Sequence, residues 1–438
     1  MAILTRDDCK AILDKVLGFS KAEGCEVNLN GSTIGNIRYA RNEVSTSGSV
    51  KDMTLVVQSN FGKRLGTATV NEFDDASLEK AVRRAEQVAR LAPENPEFMP
   101  PLGPRAYGES KAWFESTAAI GAEYRAQAAA GSIGPSRAKK LVSAGYLEHN
   151  ESFQAMANSA GLFAYHPSTE VEFSVTVRSE DGTGSGYVAR DVNDADRLNT
   201  GRASQAAIDK AVASREPRAI EPGKYTVILE PAASIGLLQN MLNAFDARQA
   251  DEGRSFLSKV GGGTKLGEKI VDERVTLWTD PTHAEVPESP WAPDGRKRDK
   301  TVWIEKGVVR NLYYSRFWAQ EKEVAPTPFP VNGLLDGGEE SLDELIAGTR
   351  RGILVTRTWY IRTVDPQTLL YTGLTRDGTF FIEDGKIAFP IKNLRFNESP
   401  VIMLNNIETL GRPERIQGAL VPPMKLRDFT FTSLSDAV

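Results

Sequence analysis

RGILVTRTWYIRTVDPQTLLYTGLTRDGTFFIEDGKIAFPI, residues 351–391, decides the fold class. Valine, isoleucine, threonine and aromatic residues dominate it, and Gly and Asp mark its turns, which is strand chemistry. RGILVTRTWYIRTV, 351–364, reads as one long strand or a strand pair. TFFIEDGKIAFPI, 379–391, reads as a hairpin turning at Asp384–Gly385. Arg351, Arg357, Arg362 and Arg376 interrupt the apolar run. Strand alternation places Arg357, Trp359 and Ile361 on one face and Thr358, Tyr360 and Arg362 on the other. Two readings stay open. The arginines pair with carboxylates on a partly exposed sheet, or they line a groove that holds an extended peptide through its backbone and carboxylates.

The same chemistry continues outward. TVWIEKGVVRNLYYSR, 301–316, is a hairpin turning at Lys306–Gly307, and YTVILE (225–230) and RVTLWTD (274–280) read as buried strands. Segments 339–347 and 398–409 read as helices. GLLQNMLNAF, 236–245, is an amphipathic helix whose stripe is Leu237, Leu238, Met241, Leu242 and Phe245, with Gln239, Asn240 and Asn243 off it.

The first half carries more helix. Thr5 and Asp8 form a capping box before a helix at 6–19. Strands are expected near 25–30, 34–40, 51–58 and 64–70, then a helix over DDASLEKAVRRAEQVARL (74–91). The proline-rich PENPEFMPPLGP (93–104) ends that helix. A helical stretch follows at 116–140. Strands are expected over LVSAGYLEHN (141–150), SFQAMAN (152–158), GLFAYH (161–166), EVEFSVTVRS (170–179) and 186–190, with a turn at Asp181–Gly182. TGRASQAAIDKAVAS (200–214) is the next helix. REPRAIEPG (215–223) is the expected boundary, dividing the chain into 1–218, α+β, and 219–438, strand-rich. The fold class is α+β in two domains, since 438 residues exceed one ordinary core.

A net charge of −5 gives no global pull towards nucleic acid, and RKRDK at 296–300 reads as a solvated loop. No apolar run approaches the roughly 18 residues of a membrane span, and Asp7, Asp8 and Asp14 interrupt any signal-peptide core, so the chain is expected in the cytoplasm. Cys9 and Cys25 are the only cysteines, which excludes a disulfide framework or a cysteine-rich zinc cluster. Of three histidines, His149, His166 and His283, no two lie within ten residues, and no H-E-x-x-H exists. DPTHAE, with Asp280, His283 and Glu285, is the nearest candidate for a metal and reads as an ordinary loop. VGGGTKLGEK (260–269) lacks phosphate-loop spacing, and no serine sits in a G-x-S-x-G elbow.

The block from RGILV to NLRFNESP, 351–400, resembles the C-terminal signature of the TldD/PmbA family. GKYTVILEPAAS, KLGEKIVDERVTLWTDP, TVWIEKGVVRNLYYSRFWA and the N-terminal ARNEVSTSGSV to EQVAR resemble it in the same order. The resemblance implies an α+β fold in a cytoplasmic family first described as modulators of DNA gyrase. It further implies a peptidase pair that degrades unfolded or extended peptides, the dimer enclosing the substrate path. A TldD-type subunit carries H-E-x-x-x-H on the helix after the strand that here reads YTVILE, and a TldE (PmbA) subunit lacks it. Carried over, the metal-site positions fall on Gln239, Asn240 and Ala244, and none is a ligand. The late cysteine ligand of TldD-type chains is absent too.

The resemblance therefore implies a non-catalytic TldE-like subunit with no catalytic residue and no zinc of its own, the zinc belonging to a TldD-like partner. Arg357, Trp359, Tyr360, Arg362, Asn393, Arg395 and Glu398 are the expected peptide-binding or interface residues. The alternatives are a homodimeric peptide-binding or scaffold protein, and a hydrolase using DPTHAE. No membrane contact and no direct nucleic-acid contact is expected.

Overall fold

Long antiparallel strands organise the first half of the chain. The structure is a computed structural model, and it describes residues 3–435. Strands β1 (Gly24–Ala40), β2 (Glu43–Phe61), β3 (Arg64–Val70), β4 (Leu141–Asn158), β5 (Phe163–Ser179) and β6 (Ser185–Val192) form one sheet in the order β3-β2-β1-β4-β5-β6. The short strands expected at 25–30 and 34–40 are one strand, as are 141–150 with 152–158, and 161–166 with 170–179. The polar residues that interrupt the apolar pattern keep the ladder intact. Ser32 pairs with Ser152, Asn30 with Gln154, and Gln154 with His166.

The sheet has two unlike faces. Val27, Leu29, Leu55, Val57 and Ala155 are buried against helices α1 (Arg6–Phe19) and α2 (Asp75–Leu91). Further along, Ile37, Tyr39, Leu147, Phe173 and Val175 are buried against α4 (Ala122–Ala138) and α5 (Thr200–Ala213). Each Val, Leu, Ile or Phe among them contributes roughly 1.5–3 kcal/mol by leaving water. The opposite face presents Asn28, Asn30, Ser32, Asn150, Ser152, Gln154, His166, Ser168, Glu170 and Glu172, by the strict alternation of a strand. The helix expected over 116–140 is α3 (Glu115–Ala118) and α4, separated at 119–121.

The second half holds two sheets. After β7 (Lys224–Leu229) come α6 (Pro231–Asn243) and α7 (Ala247–Asp251). A second sheet includes β8 (Leu277–Thr279), β9 (Thr301–Glu305), β10 (Val308–Val309) and, after helix α8 (Arg316–Glu321), β11 (Leu334–Leu335); two later strands complete it. The expected turn at Lys306–Gly307 is present, both residues having positive φ. Next come α9 (Leu342–Ala347), β12 (Arg351–Asp365), β13 (Leu370–Glu383), β14 (Lys386–Pro390) and β15 (Leu394–Glu398). The chain finishes with α10 (Pro400–Asn405), β16 (Ile407–Leu410), β17 (Glu414–Ile416), β18 (Ala419–Val421) and β19 (Met424–Leu434). The helix expected over 398–409 is therefore α10 followed by a strand, because Ile407 and Leu410 pair with β19.

Residues 351–364 are one strand, and the hairpin at Asp384–Gly385 forms as expected. Pairing runs β12-β7-β19-β15-β13 and returns from β13 to β12, so five strands close into a ring. Val227, Leu229, Ile353, Val355, Phe396, Leu426 and Phe431 belong to the core that this ring shares with α6. Among the described residues no helix is long and apolar enough to cross a membrane.

Candidate functional site

Helix α6 begins one residue after β7, with Pro231 in its first turn, where the missing N–H costs nothing. Leu237, Leu238, Met241, Leu242 and Phe245 are buried. The helix rests on β12: the Thr358 hydroxyl donates to the Ala233 carbonyl at 2.7 Å. A Cβ on Gly236 would stand 2.8 Å from Ile361 Cδ1, so glycine sets this close approach. Off the stripe, Gln239 and Asn243 are exposed, Asn240 is half-buried, and Ala244 is half-buried at the helix C-cap. These groups do not fit a zinc ion. Carboxamides are weak ligands beside imidazole or carboxylate, Ala244 offers a methyl, and Asn240 has no basic lone pair for a general base.

The strand expected to be substrate-facing differs from simple alternation. Trp359 pairs with Leu374 and Arg362 with Thr372, so two residues of β12 oppose one of β13. Tyr360 lies in this bulge with φ of 54°. The bulge returns Arg362 to the face of Arg357 and Trp359, and turns Ile361 to α6. A second irregularity at Asp377–Gly378, both with positive φ, brings Arg376 opposite Arg357. Arg395 of β15 pairs with Leu374. One face of β12-β13-β15 therefore carries Arg357, Trp359, Arg362, Arg376 and Arg395.

The arginines divide by burial. Arg357 is wedged between rings, its guanidinium carbon 3.7 Å from the Tyr187 centroid and 4.5 Å from that of Trp359. It also pairs with the buried Asp377 at 2.9 Å, whose other oxygen accepts from Ser185 at 2.7 Å. Arg376 lies over Trp359 at 5.6 Å. Arg362 stacks on Tyr360 at 4.5 Å and is exposed, and Arg395 is exposed with one bond to Thr372. Trp359 and Tyr360 are 44% and 59% exposed, unusual for large aromatics. Asn393 lines a separate cavity of about 410 Å³ with Asp377, Thr379 and Ser185. Glu398 is buried, accepts the Ser399 and Thr430 amides, and burial raises its carboxyl above the ordinary range. Tyr187 and Asp377 were invisible to pattern reading; the only hint was the Asp-Gly pair, which favours positive φ.

The other sequence candidates resolve locally. Asp280 accepts the Thr282 amide and hydroxyl within its own turn, Glu285 pairs with Arg197, and His283 Nδ1 accepts the Glu285 amide. In 260–269 the Lys265 ammonium donates to the Phe256 carbonyl. RKRDK is solvated only in part: Lys297, Asp299 and Lys300 are exposed, whereas Arg296 is 7% exposed, pairs with Asp294 at 2.7 Å and donates to the Tyr314 carbonyl. Cys9 and Cys25 are both buried, and burial pushes the Cys9 thiol up to about 12.

His149 lies under α4 beside Arg125, and His166 packs edge-on to Trp291. Burial lowers both to about 4, with Arg125 adding to the effect at His149. The folded chain thus holds them neutral while the unfolded chain protonates them near pH 6.5, so their contribution to stability falls as pH falls from about 6.5 to 4. Between pH 7 and 4.5, urea unfolding of His166→Gln against the unaltered chain should shift by about 2 kcal/mol in the variant's favour. A pH-independent difference would contradict the assignment.

Residues 25–89, 115–215 and 222–433 match, in turn, models of domain 1, the central domain and the C-terminal domain of the PmbA/TldA metallopeptidases. The fold is that of a candidate modulator of a DNA gyrase from Thermotoga maritima, with a TM-score of 0.87 at 16% identity, over 97% of this chain and 100% of that one. TldE from Thermococcus kodakarensis superimposes with a TM-score of 0.87 at 18% identity, over 97% and 99%. A protein named metalloprotease from Methanothermobacter thermautotrophicus is 26% identical over 295 residues, 61% of each chain. Another so named, from Archaeoglobus fulgidus, is 24% identical over 202 residues, 43% of this chain and 46% of that protein. The chain thus matches less than two thirds of either metalloprotease.

Proposed function

The chain belongs to the PmbA/TldD metallopeptidase family, and from that premise we propose that it is a TldE-like, non-catalytic subunit. In this reading it completes the substrate chamber of a TldD-like zinc peptidase in the cytoplasm and helps hold unfolded or extended peptide. One observation carries the proposal: the helix directly after β7 has neither His nor Glu, and Gln239, Asn240 and Ala244 stand at the positions to which the family resemblance assigns the metal ligands and the base. The likeness to TldE supports it at the level of the fold.

Within this reading the peptide-facing group narrows to Trp359, Tyr360, Arg362 and Arg395. Their exposed aromatic and guanidinium surfaces suit an extended chain and its carboxylates. Arg357 and Glu398 are committed to buried partners and act by shaping the ring. Asn393 faces the other cavity.

Zinc titration of the purified chain, freed of metal with a chelator, tests the proposal. The expected result is no stoichiometric zinc binding, and no change on Gln239→Ala or Asn240→Ala. One tightly bound zinc per chain, lost in those variants, would overturn it.

A further inference from the structure

A cavity of about 100 Å³ lies between the polar face of the first sheet and loops of the second half of the chain. Asn150, Ser152 and Gln154 of β4 and His166, Ser168 and Glu170 of β5 form its floor; Val286–Ser289, Arg415 and Gly418 close it. A water needs roughly 10–15 Å³ of such space, so the cavity holds several waters, or a cation with part of its hydration shell.

Its polar groups are unevenly satisfied. Ser152 and Ser168 bond each other at 2.9 Å. The Arg415 guanidinium is taken up by Asp191 at 2.8 Å, by Asn193 at 2.6 Å and by the Glu285 carbonyl. Glu170 and Glu288 then remain without an ion-pair partner among the described residues. Asn150 Oδ1 is fully enclosed and has no hydrogen-bond partner. His166 is 5% exposed, lines the cavity, and its imidazole makes no hydrogen bond among the described residues. Arg298 acts on Glu288 from beyond ion-pair distance and donates to the Ser289 and Trp291 carbonyls, so a space rich in acceptors has no cation in contact with its two carboxylates.

The donors are hard oxygens with one imidazole and no thiolate, which suits Mg²⁺ or Ca²⁺ better than zinc. Among the described residues no three His, Cys, Asp or Glu side chains converge on one point. A pair of carboxylates is enough for Mg²⁺, which keeps several of its waters and needs only one or two of them.

We propose that this cavity binds one partly hydrated divalent cation, preferentially Mg²⁺, between Glu170 and Glu288, with Asn150 Oδ1 and His166 accepting hydrogen bonds from its waters. The site is remote in sequence from α6 and does not depend on the function proposed above. Bound there, the cation ties the 286–289 loop to the first sheet.

The test is calorimetric titration of MgCl₂ and CaCl₂ into the full-length chain stripped with EDTA, with thermal unfolding in parallel and NaCl as the ionic-strength control. The expected result is one Mg²⁺ per chain and a rise in Tm beyond that in NaCl. Glu170→Gln and Glu288→Gln should each weaken binding about tenfold or more while remaining folded. No binding heat and no Tm rise, or a response unchanged in both variants, would overturn the proposal.

Discussion

Replacing Arg357 with alanine is expected to lower the free energy of unfolding by about 3–5 kcal/mol, although sequence reading alone leaves open whether this residue pairs with a carboxylate or lines a peptide groove. The reason is Asp377. Its side chain is 1% exposed, and Arg357 Nη1 lies 2.9 Å from its Oδ2. Removing the guanidinium leaves a buried carboxylate with the Ser185 hydroxyl and a distant Arg376, whose Nε is 3.9 Å away. It also removes the layer between Tyr187 and Trp359, which joins β6 of the first sheet to β12 of the ring. Arg357→Lys should recover part of the loss, since an ammonium restores charge but not the planar stack. In Arg357→Ala with Asp377→Asn, less should be lost than in Arg357→Ala alone, because no buried charge is stranded. Denaturant unfolding midpoints measure all three. A loss below about 1 kcal/mol for Arg357→Ala would show that the pair is solvated and the residue free to meet a ligand.

Asp191→Ala should cost as much, about 3–5 kcal/mol, by the same logic of a stranded partner. Asp191 is 5% exposed at the end of β6. One oxygen accepts the Gln417 amide at 2.7 Å; the other accepts the Gly418 amide at 2.9 Å and Arg415 Nε at 2.8 Å. The turn joining β17 to β18 has positive φ at both Gln417 and Gly418, so its amides converge on a single carboxylate. Without that carboxylate the turn loses its anchor on the first sheet and Arg415 loses its counter-charge. Asp191→Asn keeps one acceptor and should lose roughly half as much. Hydrogen exchange at the Gln417 and Gly418 amides should accelerate in both variants. Unchanged protection there would contradict the anchoring role.

Sequence legibility followed the range of the interactions. The α6 stripe, the capping box at Thr5–Asp8 and the turns at Lys306–Gly307 and Asp384–Gly385 depend on neighbours a few residues away, and each could be read directly. The strand breaks expected inside β1 and β4 were absent, because Ser32 and Asn30 find polar partners across the sheet more than a hundred residues on. Simple alternation in β12 failed at Tyr360, where one extra residue reverses every face assignment after it. The aromatic and arginine types at 357–362 were legible in the sequence; which of them are exposed depended on Tyr187 and Asp377, and only the assembled sheets bring those close. The cavity around Glu170 had no sequence signal, since β4, β5 and the 286–289 loop meet only through long-range packing. The amides at Gln239 and Asn240 were legible, since a helix with neither His nor Glu cannot hide a zinc motif.

The most direct measurement of the central claim is cleavage of an unfolded peptide by three samples: this chain alone, a TldD-like family member bearing H-E-x-x-x-H alone, and the two together. The account predicts no hydrolysis by this chain and a stable complex of the two. It further predicts chelator-sensitive hydrolysis by the mixture well above that of the partner alone. Hydrolysis by this chain alone, or a partner whose activity and association are indifferent to it, would contradict the account.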